Sequence, residues 1–262
     1  QGTLAAIGSC FSEDLATTLL QSGMRGMRNP NGILYNPYSI CDALARLSCG
    51  YAEDDFFEFG GLWHSWRHHG SFSGPDRAEC VRNANDSAKR FARVLKKADV
   101  FWATFSTAIV YRHRKTGRIV ANCHKVPGTE FERILLAEEV CEAAILSACR
   151  LVRERNPNCP IILTLSPVIH SPGDPELDAR SKATLLLAIH GAREAMNDCW
   201  YFPAYEIMTR ELRDYRFYSD DMLHPSSFAS TVILERFLDA CFIPRARADW
   251  EKAEAERRRE RH

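Results

Sequence analysis

The chain has no net charge: its 34 lysines and arginines are matched by 34 aspartates and glutamates. Nucleic-acid binders usually carry a basic face, so this balance argues against a nucleic-acid partner. No apolar run approaches the roughly 18 residues of a membrane span, so none is expected. A charged-then-apolar leader is missing too, and the chain opens almost directly on a strand. None of the ten cysteines forms a Cys-x-x-Cys, which removes the common zinc and redox motifs. Nothing else indicates a metal or a cofactor. Most cysteines fall in apolar patterns, where a free thiol behaves as a small hydrophobe. Reduced thiols and a cytoplasmic location are therefore expected. No internal repeat or linker divides the chain. Residues 1–244 read as one domain, followed by a charged tail over 245–262, a solvated helix or disordered.

What is present fits an α/β domain. The chain has 262 residues, 45% of them hydrophobic, enough for one substantial core. Short buried runs alternate with helical periodicity. Strands are expected at Leu4–Ile7, Met24–Arg28, Asp99–Phe105, Pro160–Leu165 and Trp200–Pro203. Helices are expected over 39–47, 77–98, 135–155, 180–196 and 226–240, with another after Glu13. This order predicts a doubly wound parallel sheet. Residues 58–73, rich in aromatics, histidines and glycines, read as an inserted hairpin or lid, offering His64 and Trp66 as substrate contacts. His64 and His68 have metal-ligand spacing for a helix, but the glycines and aromatics there argue against a helix. A second hairpin turns at Lys115-Thr116-Gly117. His170 leaves the end of a buried strand and could line a pocket.

Chemistry concentrates at the two ends of the chain. Gly8-Ser9 stands where the first strand becomes a helix, at the carboxyl edge of the sheet. Ser9 could be a nucleophile there, or only a helix N-cap. Near the other end, Asp220-Asp221-Met222-Leu223-His224-Pro225 precedes the helix over 226–240. Pro225 keeps His224 in the loop. A turn could bring Asp221 to its imidazole, so that Asp221 orients His224 and His224 deprotonates Ser9.

Gly8-Ser9-Cys10-Phe11-Ser12 resembles the signature of the GSCFA family, with Ser12 in place of the final alanine. The resemblance continues through Asn36-Pro37, Trp63-His64-Ser65-Trp66, Asn122-Cys123-His124-Lys125, Glu130-Phe131-Glu132-Arg133, Arg180-Ser181-Lys182 and Tyr201-Phe202-Pro203, and reaches the Asp221/His224 pair. That family looks like a branch of the SGNH/GDSL hydrolases. The likeness implies a flavodoxin-like three-layer α/β/α fold with a parallel sheet and serine esterase or acyltransferase chemistry. It also implies an oxyanion hole from the Ser9 N–H and a glycine after the second strand, where Gly32 is the positional match or else an ordinary turn glycine. The Gly-x-Asn block of those enzymes is missing: Ser106-Thr107 stands in its place. Asn122 could supply the absent amide, or could merely cap a strand end; Ser106 and Thr107 are the rivals.

The expected function is thus a serine esterase on a small acyl ester, with O-acetylated carbohydrate as the first substrate class by analogy. A carbohydrate O-acyltransferase uses the same acyl-enzyme. A non-catalytic carbohydrate-binding domain would use Trp63 and Trp66 to stack sugars. Cys10 as nucleophile is a further alternative, although its side chain is expected to point away from Ser9. Oligomeric state leaves no mark in the sequence.

Overall fold

The computed structural model describes residues 2–259. Five strands form the central sheet: β1 (Thr3–Gly8), β2 (Arg25–Arg28), β5 (Val100–Phe105), β9 (Ile161–Leu165) and β10 (Cys199–Phe202). All pairs are parallel, in the order β10-β9-β5-β1-β2. Counted along the chain, this is the flavodoxin-like order 2-1-3-4-5. Strand order reverses between β1 and β5, where such folds place their sites.

The sheet is covered on both faces, which explains its continuous apolar strands. Ala5, Ile7, Phe101, Ala103, Leu163 and Leu165 point to one layer, built by α2 (Pro37–Arg46), α3 (Arg77–Leu95), α4 (Glu138–Arg155) and α5 (Pro175–Glu194). Leu4, Ala6, Trp102, Ile162 and Phe202 point to the other. That layer holds α1 (Cys10–Gln21), a short α6 (Ala204–Glu206) running into a π-helical turn at Ile207–Leu212, α7 (Ser227–Cys241) and α8 (Pro244–Arg259). Trp102 is fully buried and donates its indole N–H to Thr164 Oγ1 at 2.9 Å. The architecture is therefore three-layered α/β/α.

Two small antiparallel sheets are inserted. β3 (Phe56–Phe59) pairs with β4 (Leu62–Ser65) through a Gly60-Gly61 turn. β6 (Ile109–His113) lies between β7 (Ile119–Val120) and β8 (Phe131–Leu135). Strand β8 corrects the helix expected over 135–155, which begins only at Glu138. The 131–135 stretch pairs with β6 instead, and Arg112 meets Glu132 across the two strands at 2.5 Å. Similarly, α5 starts at Pro175 rather than 180, because Asp174 caps Leu177 N at 3.0 Å and proline opens the helix.

The charged tail is helix α8 as far as Arg259, and it is not wholly solvated. Trp250 packs on the second core cluster and Ser22 Oγ bonds Glu254 Oε2 at 2.5 Å. Residues 260–262 of that tail lie outside the described residues. All ten cysteines are free thiols. Among the described residues, no helix is long and apolar enough to cross a membrane.

Candidate active site

The carboxyl end of β1 is a tight passage. Gly8 has φ +144°, and a Cβ there would stand 2.2 Å from Thr104 O, so only glycine fits. The chain then turns at Ser9 into α1. Ser9 is the N-cap residue by backbone geometry, yet its side chain makes no cap bond. It is fully buried, and its Oγ has no hydrogen-bond partner. The next residue, Cys10, opens the helix and is half-buried.

Opposite α1 stands the loop before α7. Asp221 Oδ1 accepts the N–H groups of Leu223 at 2.8 Å and His224 at 3.0 Å, and Asp221 Oδ2 lies 2.7 Å from His224 Nδ1. This turn places Met222 at φ +61°, an uncommon conformation for a non-glycine residue. The backbone bonds Ile169 N to Leu223 O (3.1 Å) and Ser219 N to His224 O (2.8 Å) anchor the loop. With Nδ1–H donated to the carboxylate, Nε2 offers its lone pair outward. It faces Cys10 Sγ at 3.5 Å.

The His224 ring thus meets Asp221 on one nitrogen and Cys10 on the other, whereas Ser9 Oγ has no hydrogen-bond partner. Successive residues at a helix start project about 100° apart, so only one of the pair can face His224. Ser9 is turned into the protein, and Cys10 takes the outward position.

Burial pushes the Cys10 thiol above its ordinary value of 9.0. The N–H groups of Phe11 and Cys10 at the start of α1 pull it back, Asp14 raises it, and Lys182 lowers it. The resting group is therefore a thiol at neutral pH, with a base in place to remove its proton. Those same N–H groups lack intrahelical partners and are available to a developing oxyanion.

Under the site lies a feature that the sequence reading missed. Lys182 is fully buried, and its ammonium donates to the carbonyls of Ser106 (2.7 Å), Val168 (2.8 Å) and Ser166 (2.9 Å). It thus ties the carboxyl ends of β5 and β9 together. Its neighbour Ser181 donates to or accepts from Thr107 Oγ1 (3.0 Å) and accepts from Ala108 N (2.8 Å). Burial lowers the lysine to about 8. The available signal was a lysine on the apolar face of α5, in step with Leu185, Ala188 and Ile189.

The other expected site residues have structural partners. Gly32 donates its N–H to Asn29 O at 2.9 Å and has φ +74°, the role of a turn glycine. Asn122 Oδ1 accepts from His124 N at 2.8 Å, closing a turn in which His124 and Lys125 have positive φ. His64 bonds Ser73 Oγ (2.6 Å) and Phe59 O (3.0 Å). Trp66 stacks on Phe57 at 3.7 Å and lies beside His113 and Phe131. These rings form a packed cluster between the inserted sheets. Nearby, His68 Nδ1 bonds Ser65 Oγ at 2.9 Å, and its ring packs on Tyr51. His170 rests on Tyr35 at 4.9 Å. Burial raises the Tyr35 hydroxyl, and charge on Cys10 would raise it further, which puts this ring pair on the Cys10 side. The Ser106 and Thr104 hydroxyls are buried without partners at the same sheet edge. Among the described residues, no cluster of three or more His, Cys, Asp or Glu could hold a metal ion.

The two backbone bonds to Asp221, then its bond to His224, hold its carboxyl down to about 2. A depressed carboxylate stays charged above that value and is lost only as pH falls from its usual 3.8 toward 2. Asp221 therefore shapes no part of an activity profile between pH 4 and 8. Asp221→Asn is expected to lower kcat by about 10³-fold or more across that range, since it removes the fixed tautomer. Steady-state rates at several pH values check this, and a loss confined to acid pH would remove Asp221 from the relay.

No curated protein matches this chain. Similar solved structures include an acetyl xylan esterase from the rumen bacterium Butyrivibrio proteoclasticus, at 11% identity and TM-score 0.48, covering 95% of this chain and 64% of that one. The chain thus spans less than two thirds of the length of that esterase. A Clostridium thermocellum family 3 carbohydrate esterase follows at 10% identity and TM-score 0.41, covering 91% of this chain and 94% of that one. A family 3 carbohydrate esterase from Talaromyces cellulolyticus gives 8% and 0.43, covering 92% and 96%. The sequence profile of the GSCFA family matches residues 3–237, from β1 into α7, and the chain belongs to the GSCFA family.

Proposed function

We propose that this protein is an acyl-transfer enzyme that acts on esters through a cysteine nucleophile. The observation that carries the proposal is the relay Asp221 Oδ2–His224 Nδ1 at 2.7 Å and His224 Nε2–Cys10 Sγ at 3.5 Å. His224 takes the thiol proton as Sγ attacks the acyl carbon, and the N–H groups of Cys10 and Phe11 receive the oxyanion. Collapse of the tetrahedral adduct expels the alcohol, which leaves with the proton from His224. The thioester is then cleaved by water, or by an acceptor hydroxyl, with His224 acting as base again. The first product is a hydrolase's; the second is a transferase's. An O-acylated carbohydrate is the substrate class we favour, by the analogy of the family to SGNH hydrolases.

Two rival readings fit less well. Ser9 as nucleophile would require its side chain to leave a fully buried position. A sugar-stacking module would need free tryptophan faces, but Phe57 covers Trp66 and the Arg77 guanidinium lies 4.9 Å over Trp63.

Acid-quenched reactions with p-nitrophenyl acetate and with acetylated xylo-oligosaccharides test the proposal by mass spectrometry. An acetyl adduct that neutral hydroxylamine removes, as it does a thioester, is expected on the peptide carrying Cys10. An adduct resistant to neutral hydroxylamine, or turnover unaffected by alkylation of Cys10, would overturn it.

A further inference from the structure

A second feature lies away from Cys10, along the free edge of the central sheet. Strand β2 is the last strand on its side. Arg25 N bonds Gly2 O and Asn29 N bonds Ala6 O, so odd-numbered residues of β2 face β1. By the alternation of a parallel ladder, the N–H and C=O groups of Gly26 and Arg28 point outward. Gly26 is exposed and has no side chain to shield them.

This edge is the floor of a groove of about 1080 Å³. One wall is α1, through Glu13 and Leu20; the other is α3, through Arg90 and Val94. Six cations line it: Arg25, Arg28, Arg90, Arg93, Lys96 and Lys97. One carboxylate, Glu13, accompanies them, and it is already engaged by Arg28 at 2.7 Å and by Asn29. The side chains of Arg90, Lys96 and Lys97 make no ion pair among the described residues. In a chain with no net charge, this is a concentrated local excess. Cations on an edge strand repel a second copy of the same edge. They do not repel an acidic strand.

We infer that the groove over β2 binds an extended acidic segment of a partner protein, which adds as a strand to Gly26 and Arg28 and pairs its carboxylates with the cationic rim. Main-chain bonds would supply the pairing, and alternate side chains the selectivity. A four-residue edge spans about 13 Å, so about four residues of a bound segment pair with it, and a heptapeptide overhangs by one or two residues at each end. A general polyanion site is the contrasting possibility. It needs the rim charges but not the open strand edge.

Fluorescence anisotropy with a labelled heptapeptide alternating glutamate and valine separates the two. Binding is expected, weakening as salt rises. The lysine–valine counterpart should bind at least about tenfold more weakly, as should the acidic peptide against the Arg90→Glu/Lys97→Glu variant, each a difference of about one charge pair or more. Backbone N-methylation of the glutamate–valine peptide on its pairing side should cost a similar factor. Both substituted positions are on the surface, and circular dichroism shows whether that variant is folded. Equal binding of the N-methylated peptide, or of an oligogalacturonate of the same charge, would overturn strand addition. So would no binding of the acidic peptide at millimolar concentration.

Discussion

Cys10→Ala is expected to lower ester turnover by about 10⁴-fold or more, the scale seen when a nucleophile is removed from a relay that works as a unit. Ser9→Ala is expected to keep activity within about tenfold of the parent, because it removes no group that touches the reacting atoms. The contrast comes from two adjacent side chains with opposite surroundings. Cys10 Sγ faces His224, whereas Ser9 Oγ is buried and bonded to nothing. Deleting an unsatisfied buried hydroxyl also removes a desolvation cost, so Ser9→Ala should be neutral or mildly stabilising. Cys10→Ser is the informative intermediate. The shorter C–O bond sets oxygen farther from Nε2 than the present 3.5 Å, and a hydroxyl is harder to deprotonate than a thiol. Initial rates on p-nitrophenyl acetate, with urea unfolding of each variant, provide the readout. Normal turnover in Cys10→Ala, or a Ser9→Ala variant that is folded and dead, would return the nucleophile to Ser9.

Lys182→Met should cost about 3 kcal/mol of stability, since it orphans three carbonyls at once and each unpaired buried group costs about 1–3 kcal/mol. The methionine keeps the length and apolar stem of the side chain, so the loss reports on the ammonium bonds rather than on a cavity. Partial compensation is built in, because a fully buried charge carries its own desolvation penalty. Activity should fall as well. The three carbonyls belong to Ser106, Ser166 and Val168, whose segments form the sheet edge beside Cys10. The lysine charge also favours the Cys10 thiolate. Chemical denaturation together with iodoacetamide reactivity separates the two effects. An unchanged unfolding midpoint would mean that the carbonyls find other partners.

Much of this was legible before the structure. The buried runs at Leu4–Ile7, Asp99–Phe105 and Pro160–Leu165, with helices between them, specify a parallel sheet because strands covered on both faces have no polar side. Asp221 and His224 could be paired because Pro225 keeps the histidine out of the helix and three residues make one turn. The choice between Ser9 and Cys10 was not legible. It depends on the rotation of the first turn of α1, which is set by Gly8 at φ +144° against β5 and not by any local pattern. Gly32 and Asn122 had suitable residue types, but the Gly32 N–H is spent on Asn29 O and the Asn122 Oδ1 on His124 N, each within its own turn. Lys182 escaped notice because a lysine in an amphipathic helix is ordinarily read as solvent-facing. Only the tertiary structure reveals three carbonyls waiting for it.

The histidines packed around the inserted sheets and the site make unfolding a proton-consuming event. Burial above all holds His68 to about 3, and His124 and His170 to about 4. In an open chain each would titrate near 6.5. Below that value the unfolded chain takes up protons that the folded chain refuses, so acid favours unfolding. Between about pH 4 and 6 the three together tilt stability by up to about 4 kcal/mol per pH unit, the product of three protons and 1.36 kcal/mol each. Above pH 6.5 this tilt vanishes, and the fold holds its full margin only in neutral or alkaline surroundings.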